Sequence, residues 1–310
     1  MSASPTLFAR GVSKMFGPVR ALNDIDLELG PGVHGLLGPN GSGKSTLIKL
    51  FAGQLKPDTG EVRLNGRDPF ADAGALRRLG LCPEQDHFYE DLTGREFVTA
   101  LTRLHGIDAV TARRLADNAI ERVGMGPRAG VTLGTMSRGM RQRIKVAQAL
   151  AHDADVLLLD EPLNGADPVA RADLVSLIRA LGDEGRCVVV SSHVLHEVEA
   201  MTHDVVLIRY GRMRAEGDIL RLRELMKDRP YRIRIETADA RRLATALWAL
   251  PHVRAIELIS STTLDLTTTQ LDAACIDTPR IAETVGLVVE RFTSPDGDLE
   301  SLYRYLMNHA

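Results

Sequence analysis

The stretch Gly38-Pro39-Asn40-Gly41-Ser42-Gly43-Lys44-Ser45 decides the fold, because it fits the phosphate-binding pattern G-x-x-x-x-G-K-[ST]. Glycines let successive backbone N–H groups approach phosphate oxygens, and the lysine adds a point charge toward the terminal phosphates. The Ser45 hydroxyl is placed to coordinate Mg²⁺, and Thr46 continues into a helix whose N-terminus favours anions. An apolar strand precedes the loop and an amphipathic helix follows it. This context argues against a chance match in a glycine-rich turn and predicts a nucleotide-binding unit.

A second apolar run ends in two adjacent acids, Asp160 and Glu161. Sheets of α/β proteins bind ligands at the carboxyl ends of their strands, so this pair is expected beside the phosphate loop. Asp160 is suited to hold Mg²⁺ through its water shell, and Glu161 to polarise an attacking water. The alternative is a pair of surface acids at a strand end. The neighbouring phosphate loop favours the catalytic interpretation.

The order of apolar runs and helical patterns indicates the fold class. Short apolar runs at 33–38, 155–160 and 187–191 alternate with helical periodicity, which predicts an α/β domain with a largely parallel sheet. Between about 86 and 135 the sequence turns helical. Thr93 and Glu96 form a capping box there. The apolar residues predicted to face inward in this helical insert are Phe97, Leu101, Leu104, Leu115, Ile120 and Val123.

The composition shifts near 227–230, which predicts a domain boundary between residues 1–225 and 230–310. The pattern after the shift reads strand, helix, strand, strand, helix, strand, which is the ferredoxin-like order of a small α+β domain. A last helix is expected after it. The predicted elements lie at 231–236, 240–250, 255–259, 263–266, 279–285, 287–292 and 299–307.

Composition limits the class of protein. Hydrophobic residues make up 44% and charged residues 25%, and the formal net charge of -3 leaves no basic footprint for a nucleic acid. No apolar run approaches the ~18 residues that span a bilayer, and no signal peptide is evident. The three cysteines, Cys82, Cys187 and Cys275, are expected to be reduced thiols in a cytosolic protein.

Four further segments narrow the class. They are Cys82-Pro83-Glu84-Gln85, Met136-Ser137-Arg138-Gly139-Met140-Arg141-Gln142-Arg143, Asn164-Gly165-Ala166-Asp167 and Ser191-Ser192-His193. With the phosphate loop and the acid pair they resemble, in order, the six motifs of the nucleotide-binding subunit of ATP-binding cassette transporters, over roughly residues 5–220. The resemblance implies a RecA-like core with an N-terminal β subdomain and the helical insert. It also implies ATP and Mg²⁺ as ligands.

The resemblance assigns roles to individual residues. Gln85 would bring an oxygen to Mg²⁺ and sense the γ-phosphate, and His193 would hold Glu161 and the water. Ser137 and Gly139 would meet ATP bound to a second nucleotide-binding domain, in a homodimer or heterodimer. Asp167 lies in the loop that crosses to this partner. Phe16 matches the aromatic residue that stacks on adenine.

Two departures from the family pattern bear on function. Arg138 and Met140 replace a glycine and a glutamine, which resembles the exporter branch with a separate small permease. Ala166 stands where leucine is usual in the crossing loop. The resemblance therefore implies an ATPase on the inner face of the cell membrane, held there by an integral-membrane permease. The alternatives are a soluble cassette ATPase acting on ribosomes or DNA, and a non-hydrolysing regulator, which Glu161 and His193 disfavour.

Several of these residues also have simpler interpretations. Gln85 could be an exposed loop residue, His193 a strand end and Phe16 a packing residue. Asp167 before Pro168 is also a good helix N-cap, and both of its roles can hold together. The basic cluster Arg141, Arg143 and Lys145 is expected on a solvated helix face. The histidines at 34, 152 and 203 have no motif around them and are expected to be structural.

Overall fold

The chain divides into two units, Met1–Asp218 and Ile219–Ala310. The structure is a computed structural model and describes residues 7–85, 88–224, 230–294, 299–301 and 303. The composition shift at 227–230 lies a few residues beyond this division.

The first unit alternates strands and helices along most of its length. Its strands are β1 (Leu7–Phe16), β2 (Val19–Leu29), β3 (Gly32–Leu37), β4 (Thr59–Leu64), β5 (Leu79–Cys82), β6 (Val156–Asp160), β7 (Cys187–Ser192), β8 (Asp204–Arg209) and β9 (Arg212–Asp218). Its helices are α1 (Lys44–Phe51), α2 (Gly94–Leu104), α3 (Ala109–Arg122), α4 (Arg138–Leu150), α5 (Pro168–Asp183) and α6 (Leu195–Met201).

The central sheet of this unit has the order β5-β6-β7-β3-β8-β9, and its strands are parallel except for the antiparallel pair β8 and β9. Every residue of β6 and β7 is buried, as the apolar runs predicted for strands covered on both faces. In register, Leu37 pairs with Ser192, and Asp160 pairs with Ser191. The ends of β3, β6 and β7 therefore meet at one edge of the sheet, and the predicted site residues follow these ends.

A second, antiparallel sheet of this unit has the order β2-β1-β4. Its inward side chains join those of α1 and of the central strands in one hydrophobic cluster, which includes Leu7, Leu22, Phe51, Leu158 and Ile208. This shared core fixes the N-terminal sheet beside the phosphate loop, because the loop connects β3 to α1.

The helical insert is present, and its capping box is formed: Thr93 accepts from the Glu96 amide while Glu96 accepts from the Thr93 amide. The inward face of the insert differs from the one that the sequence predicts. Leu104, expected inside, is 81% exposed. In α3 the buried face consists mainly of alanines, namely Ala112, Ala116 and Ala119. Small side chains let packed helices approach closely, so the buried surface of α3 is formed mainly by alanines and not by Leu115.

The second unit contains α7 (Ile219–Glu224), β10 (Tyr231–Thr237), α8 (Ala240–Leu247), β11 (Val253–Leu258), β12 (Thr263–Thr268), α9 (Leu271–Thr284) and β13 (Val289–Thr293). Its antiparallel sheet has the order β11-β12-β10-β13, and the β-α-β-β-α-β order from β10 to β13 is ferredoxin-like.

The helix expected to start at Pro279 begins eight residues earlier. Ala274, Thr278 and Ala282 form a buried face of α9 that extends through the proline. Burial of this face outweighs the preference of proline for the first turn of a helix. The helix predicted at 299–307 falls mostly outside the described residues.

Within the part of the chain that the structure describes, Cys82, Cys187 and Cys275 form no disulfide bond. Among the helices that the structure describes, none is long and apolar enough to cross a membrane.

Candidate functional site

A cavity of about 470 Å³ lies at the edge of the central sheet where the predicted motifs meet. Its lining includes most of the phosphate loop together with both predicted acids. It also includes four residues that the sequence did not single out for the site. The lining residues are Val19, Arg20, Ala21, Asn40, Gly41, Ser42, Gly43, Lys44, Ser45, Thr46, Glu84, Asp160 and Glu161.

Two glycines of the phosphate loop have steric reasons to be glycine. Gly43 caps α1 with φ 113°, in the region that favours glycine, and a Cβ there would lie 2.7 Å from the Ala21 carbonyl oxygen. A Cβ on Gly38 would lie 2.2 Å from the Ile208 carbonyl oxygen. At both glycines the loop packs closely against the backbone of neighbouring strands. This packing limits how far its N–H groups can move away from the cavity.

Lys44 is only 7% exposed and lies at the bottom of the loop. Its ammonium donates to the carbonyl oxygens of Gly38 (2.7 Å) and Pro39 (3.3 Å). An ammonium has three N–H donors, so these two bonds fix its position and leave a donor for a phosphate. Burial lowers the pKa of Lys44, and the negative charges of Glu161, Asp160 and Glu84, in that order, oppose this shift.

Ser42 contributes an unsatisfied donor to the same wall. Ser42 is 2% exposed, and its hydroxyl has no hydrogen-bond partner within the described part of the chain. Buried hydroxyls are nearly always hydrogen-bonded in native proteins. A ligand oxygen in the cavity would satisfy this group.

The two predicted magnesium residues that line the cavity are Ser45 and Asp160. Asp160 is 5% exposed and accepts from the Ser191 hydroxyl at 2.5 Å, while the same hydroxyl accepts from the Glu161 amide at 3.0 Å. Ser191 thus fixes the orientation of the Asp160 carboxylate. A hydroxyl and a carboxylate facing one space are the hard oxygen donors that Mg²⁺ prefers, so the residues fit this ion. When bound, Mg²⁺ would neutralise charge on the phosphates.

Glu161 has the properties of a positioned base. Its backbone has φ 51°, which is unusual for a residue other than glycine, and its side chain is almost buried. Burial raises the pKa of Glu161, against the lowering effects of His193 and Lys44. Desolvation of a carboxylate makes it a stronger base near neutral pH.

His193 lies just beyond β7, and its Nδ1 is 2.9 Å from a carboxylate oxygen of Glu161. The histidine side chain is half exposed, whereas the glutamate side chain is 9% exposed. The imidazole therefore holds the carboxylate from its solvent side. The predicted pairing of these two residues is present in the geometry.

The loop after β5 differs from the expectation. The sequence singled out Gln85, but the side chain that lines the cavity is that of its neighbour Glu84, and Gln85 is not among the lining residues. Both residues are exposed, and residues 86–87 fall outside the description. Sequence reasoning could have found Glu84 from its acidic character within the same motif. Arg20 lies in none of the motifs, so nothing in the sequence indicated that it lies at the site.

Phe16 lies at the end of β1 and is 47% exposed, with the Lys14 ammonium 5.8 Å from its ring centre. The adjoining residues Val19, Arg20 and Ala21 line the cavity instead. An exposed ring beside the cavity is compatible with stacking, and this role stays a prediction.

The segments predicted to act on a second subunit lie together, and none of them lines the cavity. Ser137 is the N-cap of α4 and accepts from the Met140 amide at 3.3 Å. A Cβ on Gly139 would lie 3.0 Å from the Gly165 carbonyl oxygen, so the start of α4 touches the crossing loop. Asp167 accepts from the Ala170 amide at 2.9 Å, and this confirms its N-cap role for α5.

The basic cluster on α4 corrects the expectation of a solvated face. Lys145 is 4% exposed, and its ammonium donates to the carbonyl oxygens of Pro83 (3.1 Å) and Glu84 (3.0 Å). Arg143 donates to the Val123 carbonyl oxygen at 2.9 Å. Helix α4 packs against β5 and β6 on one side and against α2 and α3 on the other, so most of its surface is covered.

Two of the histidines set aside as structural lie outside the cavity lining. His34 pairs with the Gly30 carbonyl oxygen at 2.9 Å. His152 pairs with the Leu79 carbonyl oxygen at 2.9 Å and stacks on His105. Burial lowers the pKa of His152 to about 4, so its imidazole is neutral at pH 7.

The sequence of this chain is similar to those of known proteins. The sequence profile of the family described as ABC transporter matches residues 22–164. The daunorubicin resistance ATP-binding protein DrrA3 of Streptomyces coeruleorubidus is 34% identical over 252 residues, which cover 80% of this chain and 79% of that protein. The Nod factor export ATP-binding protein I of Burkholderia orbicola (strain AU 1054) is 36% identical over 219 residues, 70% of this chain and 72% of that protein.

Solved structures agree in fold. An ATP-binding subunit of an ABC transporter superimposes with a TM-score of 0.65 at 25% identity, covering 71% of this chain and 92% of that one. A dimeric ATP-binding cassette with bound ADP and phosphate gives a TM-score of 0.63 at 22% identity, covering 69% of this chain and 98% of that one.

Proposed function

Because this chain belongs to the ATP-binding proteins of ABC transporters, and is therefore an ATPase that energises transport, we propose that it drives export through a separate membrane permease. Two observations support the direction. The relatives are named for drug resistance and for Nod factor export. The segment Ser137–Arg143 has the Arg138 and Met140 substitutions of the exporter-like form. The permease would hold the chain at the inner face of the membrane.

The observation that carries the hydrolytic role is the buried Glu161 carboxylate, held by His193 at 2.9 Å on the wall of the phosphate-loop cavity. In this proposal Lys44 and the loop amides bind the phosphates of ATP. Glu161 accepts a proton from the attacking water as the new P–O bond forms, and the β–γ bridging bond breaks to give ADP and phosphate. Ser45 and Asp160 would hold Mg²⁺.

The proposed site is completed by a second nucleotide-binding domain. Ser137 and Gly139 lie at the start of α4, whose N-terminus favours an anion, and they do not line the cavity of their own chain. Their place beside the loop that ends at Asp167 gives one surface for contact with a partner's γ-phosphate. We assign this nucleotide-binding role to residues 1–225, with the insert at about 86–135, and an accessory role to 230–310.

Replacing Glu161 by glutamine tests the hydrolytic role. Glu161→Gln keeps the size of the side chain but cannot accept a proton, so turnover should fall by ~10²- to 10⁴-fold while MgATP still binds. ATP-bound dimers should then accumulate in size-exclusion chromatography. Lys44→Ala is the matched control, which should lose nucleotide binding and therefore form no such dimer. Normal hydrolysis by the Glu161→Gln protein would contradict the assignment.

Affinity purification from solubilised membranes tests the partner. The proposal expects a multi-spanning protein to copurify with the Glu161→Gln variant in the presence of ATP. Recovery of ribosomes or of DNA in its place would contradict the transport role and support the alternative drawn from the sequence.

A further inference from the structure

The loop after β5 places an acid at the nucleotide cavity. Glu84 is one of the lining residues, together with Asp160 and Glu161, whereas its neighbour Gln85 is not among them. The charge of Glu84 acts on Lys44, where it is the third of three carboxylates that favour the charged ammonium. The side chain of Glu84 therefore shares its space with the group that binds the terminal phosphates.

The backbone of this acid is held by helix α4. Lys145 of α4 is 4% exposed, and its ammonium donates to the carbonyl oxygens of both Pro83 and Glu84. On the same helix, Gln148 donates to the Leu81 carbonyl oxygen at the end of β5. Contacts at Leu81, Pro83 and Glu84 hold this part of the chain against α4. These bonds hold the backbone from which the exposed Glu84 side chain extends to the cavity.

The charge arrangement has a consequence for nucleotide binding. The described lining of the cavity includes two cations, the buried Lys44 and the exposed Arg20. Three acids face the same space, namely Glu84, Asp160 and Glu161. The unpartnered hydroxyl of Ser42, which is 2% exposed, marks the wall as a place for a ligand oxygen. A triphosphate that enters without a cation meets repulsion from all three carboxylates, whereas a cation-bound triphosphate meets attraction.

We propose that Glu84, and not Gln85, is the side chain that the β5 loop contributes to the cation of the bound nucleotide, and that its charge makes nucleotide binding depend on a divalent cation. The inference rests on the proposed function only in taking ATP with Mg²⁺ as the ligand. Glu84 acts on the cation that accompanies the phosphates. Lys145 is a positioning residue, because it holds the backbone of Pro83 and Glu84.

Nucleotide affinity with and without metal tests the proposal on the full chain. The probe is AMP-PNP, titrated by calorimetry in excess Mg²⁺ and again in EDTA. The readout is the dissociation constant in EDTA divided by the dissociation constant in Mg²⁺. Glu84→Gln should reduce this ratio by about five- to ten-fold, chiefly by tightening metal-free binding as one repulsive charge is removed. Glu84→Asp keeps the charge and should retain most of the wild-type ratio.

Two further variants make the result specific. Glu283→Gln removes one negative charge from an exposed position of α9 in the second unit and should leave the ratio unchanged. Gln85→Ala tests whether Gln85 acts on the cation instead, and the proposal requires that this variant leave the ratio unchanged. An unchanged ratio in Glu84→Gln, or a reduced ratio in Gln85→Ala with Glu84→Gln unaffected, would overturn the proposal.

Failure of the proposed function has a different signature. A wild-type chain that binds no AMP-PNP in Mg²⁺ would refute nucleotide binding itself and the inference with it. A wild type that binds with strong Mg²⁺ dependence, which Glu84→Gln leaves intact, would refute the inference alone. Should Glu84→Gln fail to fold, as judged by circular dichroism, a reduced ratio in Lys145→Met with a folded chain would support the inference, and an unchanged ratio would overturn it.

Discussion

At the scale of single residues, Glu161 and His193 combine two opposing effects on one carboxylate. Burial raises the pKa of Glu161, and the hydrogen bond and charge of His193 lower it. The balance leaves a carboxylate that is more basic than an exposed glutamate and is still held in one orientation. Its left-handed backbone, at φ 51°, directs it away from the strand axis toward the cavity that it lines. Strain at this position is therefore consistent with a working site.

The pH dependence of hydrolysis should report this balance. A base must be deprotonated, so ATPase activity should be present above the raised pKa of Glu161 and be lost as the pH falls through it. His193→Ala removes an influence that lowers this pKa, so the acidic limb of the pH–rate profile should move to higher pH. The loss of kcat should be smaller than in Glu161→Gln.

The measurement is steady-state phosphate release across the range in which the protein remains folded. His34→Ala is the control, because His34 pairs with the Gly30 carbonyl oxygen and does not line the cavity. An acidic limb that stays in place in His193→Ala, or that moves to lower pH, would contradict the proposed coupling.

At the scale of elements, α4 connects the segment Ser137–Arg143 to the loop beside the cavity. Ser137 is its N-cap, and its buried face contacts β5 through Gln142 and Gln148. Lys145 contacts the loop after β5. Helix α4 therefore spans the distance from its N-cap Ser137 to the backbone around β5 as one continuous element. This arrangement connects the surface proposed for a second subunit with the cavity of the same chain.

Removal of the Lys145 charge should weaken that connection. Lys145→Met keeps the apolar stem but leaves the carbonyl oxygens of Pro83 and Glu84 without this donor, which should lower the free energy of unfolding by about 1–3 kcal/mol. It should also reduce the Mg²⁺ dependence of nucleotide affinity. Lys49→Met, at an exposed position of α1, is the control and should change neither property. Equal stability of the two variants in urea denaturation would contradict the role of Lys145.

The same elements show how far sequence reasoning extends. The strand–loop–helix around Lys44 and the acid pair at the end of β6 could be predicted, because each depends on local pattern and on a shared sheet edge. The choice between Glu84 and Gln85 could not, since adjacent polar residues of a loop differ only in the direction that packing gives them. Lys145 was assigned to solvent because helical periodicity does not reveal that a helix is covered on two sides.

At the scale of the whole molecule, the chain joins two units with different kinds of stabilisation. The first has a large apolar core and the nucleotide cavity, whose lining residues lie between positions 19 and 161. The second has a smaller core and a buried acid, Asp265 of β12, whose side chain is 1% exposed. Arg234 and Arg232 of β10 both bond to this carboxylate and hold its pKa below the ordinary value, against the effect of burial. These ion pairs between β10 and β12 were not predicted from the sequence.

Substitution of this acid should separate the two units experimentally. Asp265→Asn removes the charge that both arginines share and leaves part of their hydrogen bonding unmet, which should destabilise the second unit by about 1–3 kcal/mol. Hydrogen exchange should therefore increase at 231–293. The described residues that line the nucleotide cavity all belong to the first unit, so MgATP should still protect 38–51 from exchange in this variant. Glu290→Gln, an exposed acid on β13, should leave exchange at 231–293 unchanged. Loss of nucleotide protection at 38–51 in Asp265→Asn would show that the second unit is required for the site, and unchanged exchange at 231–293 would show that the buried pair contributes little.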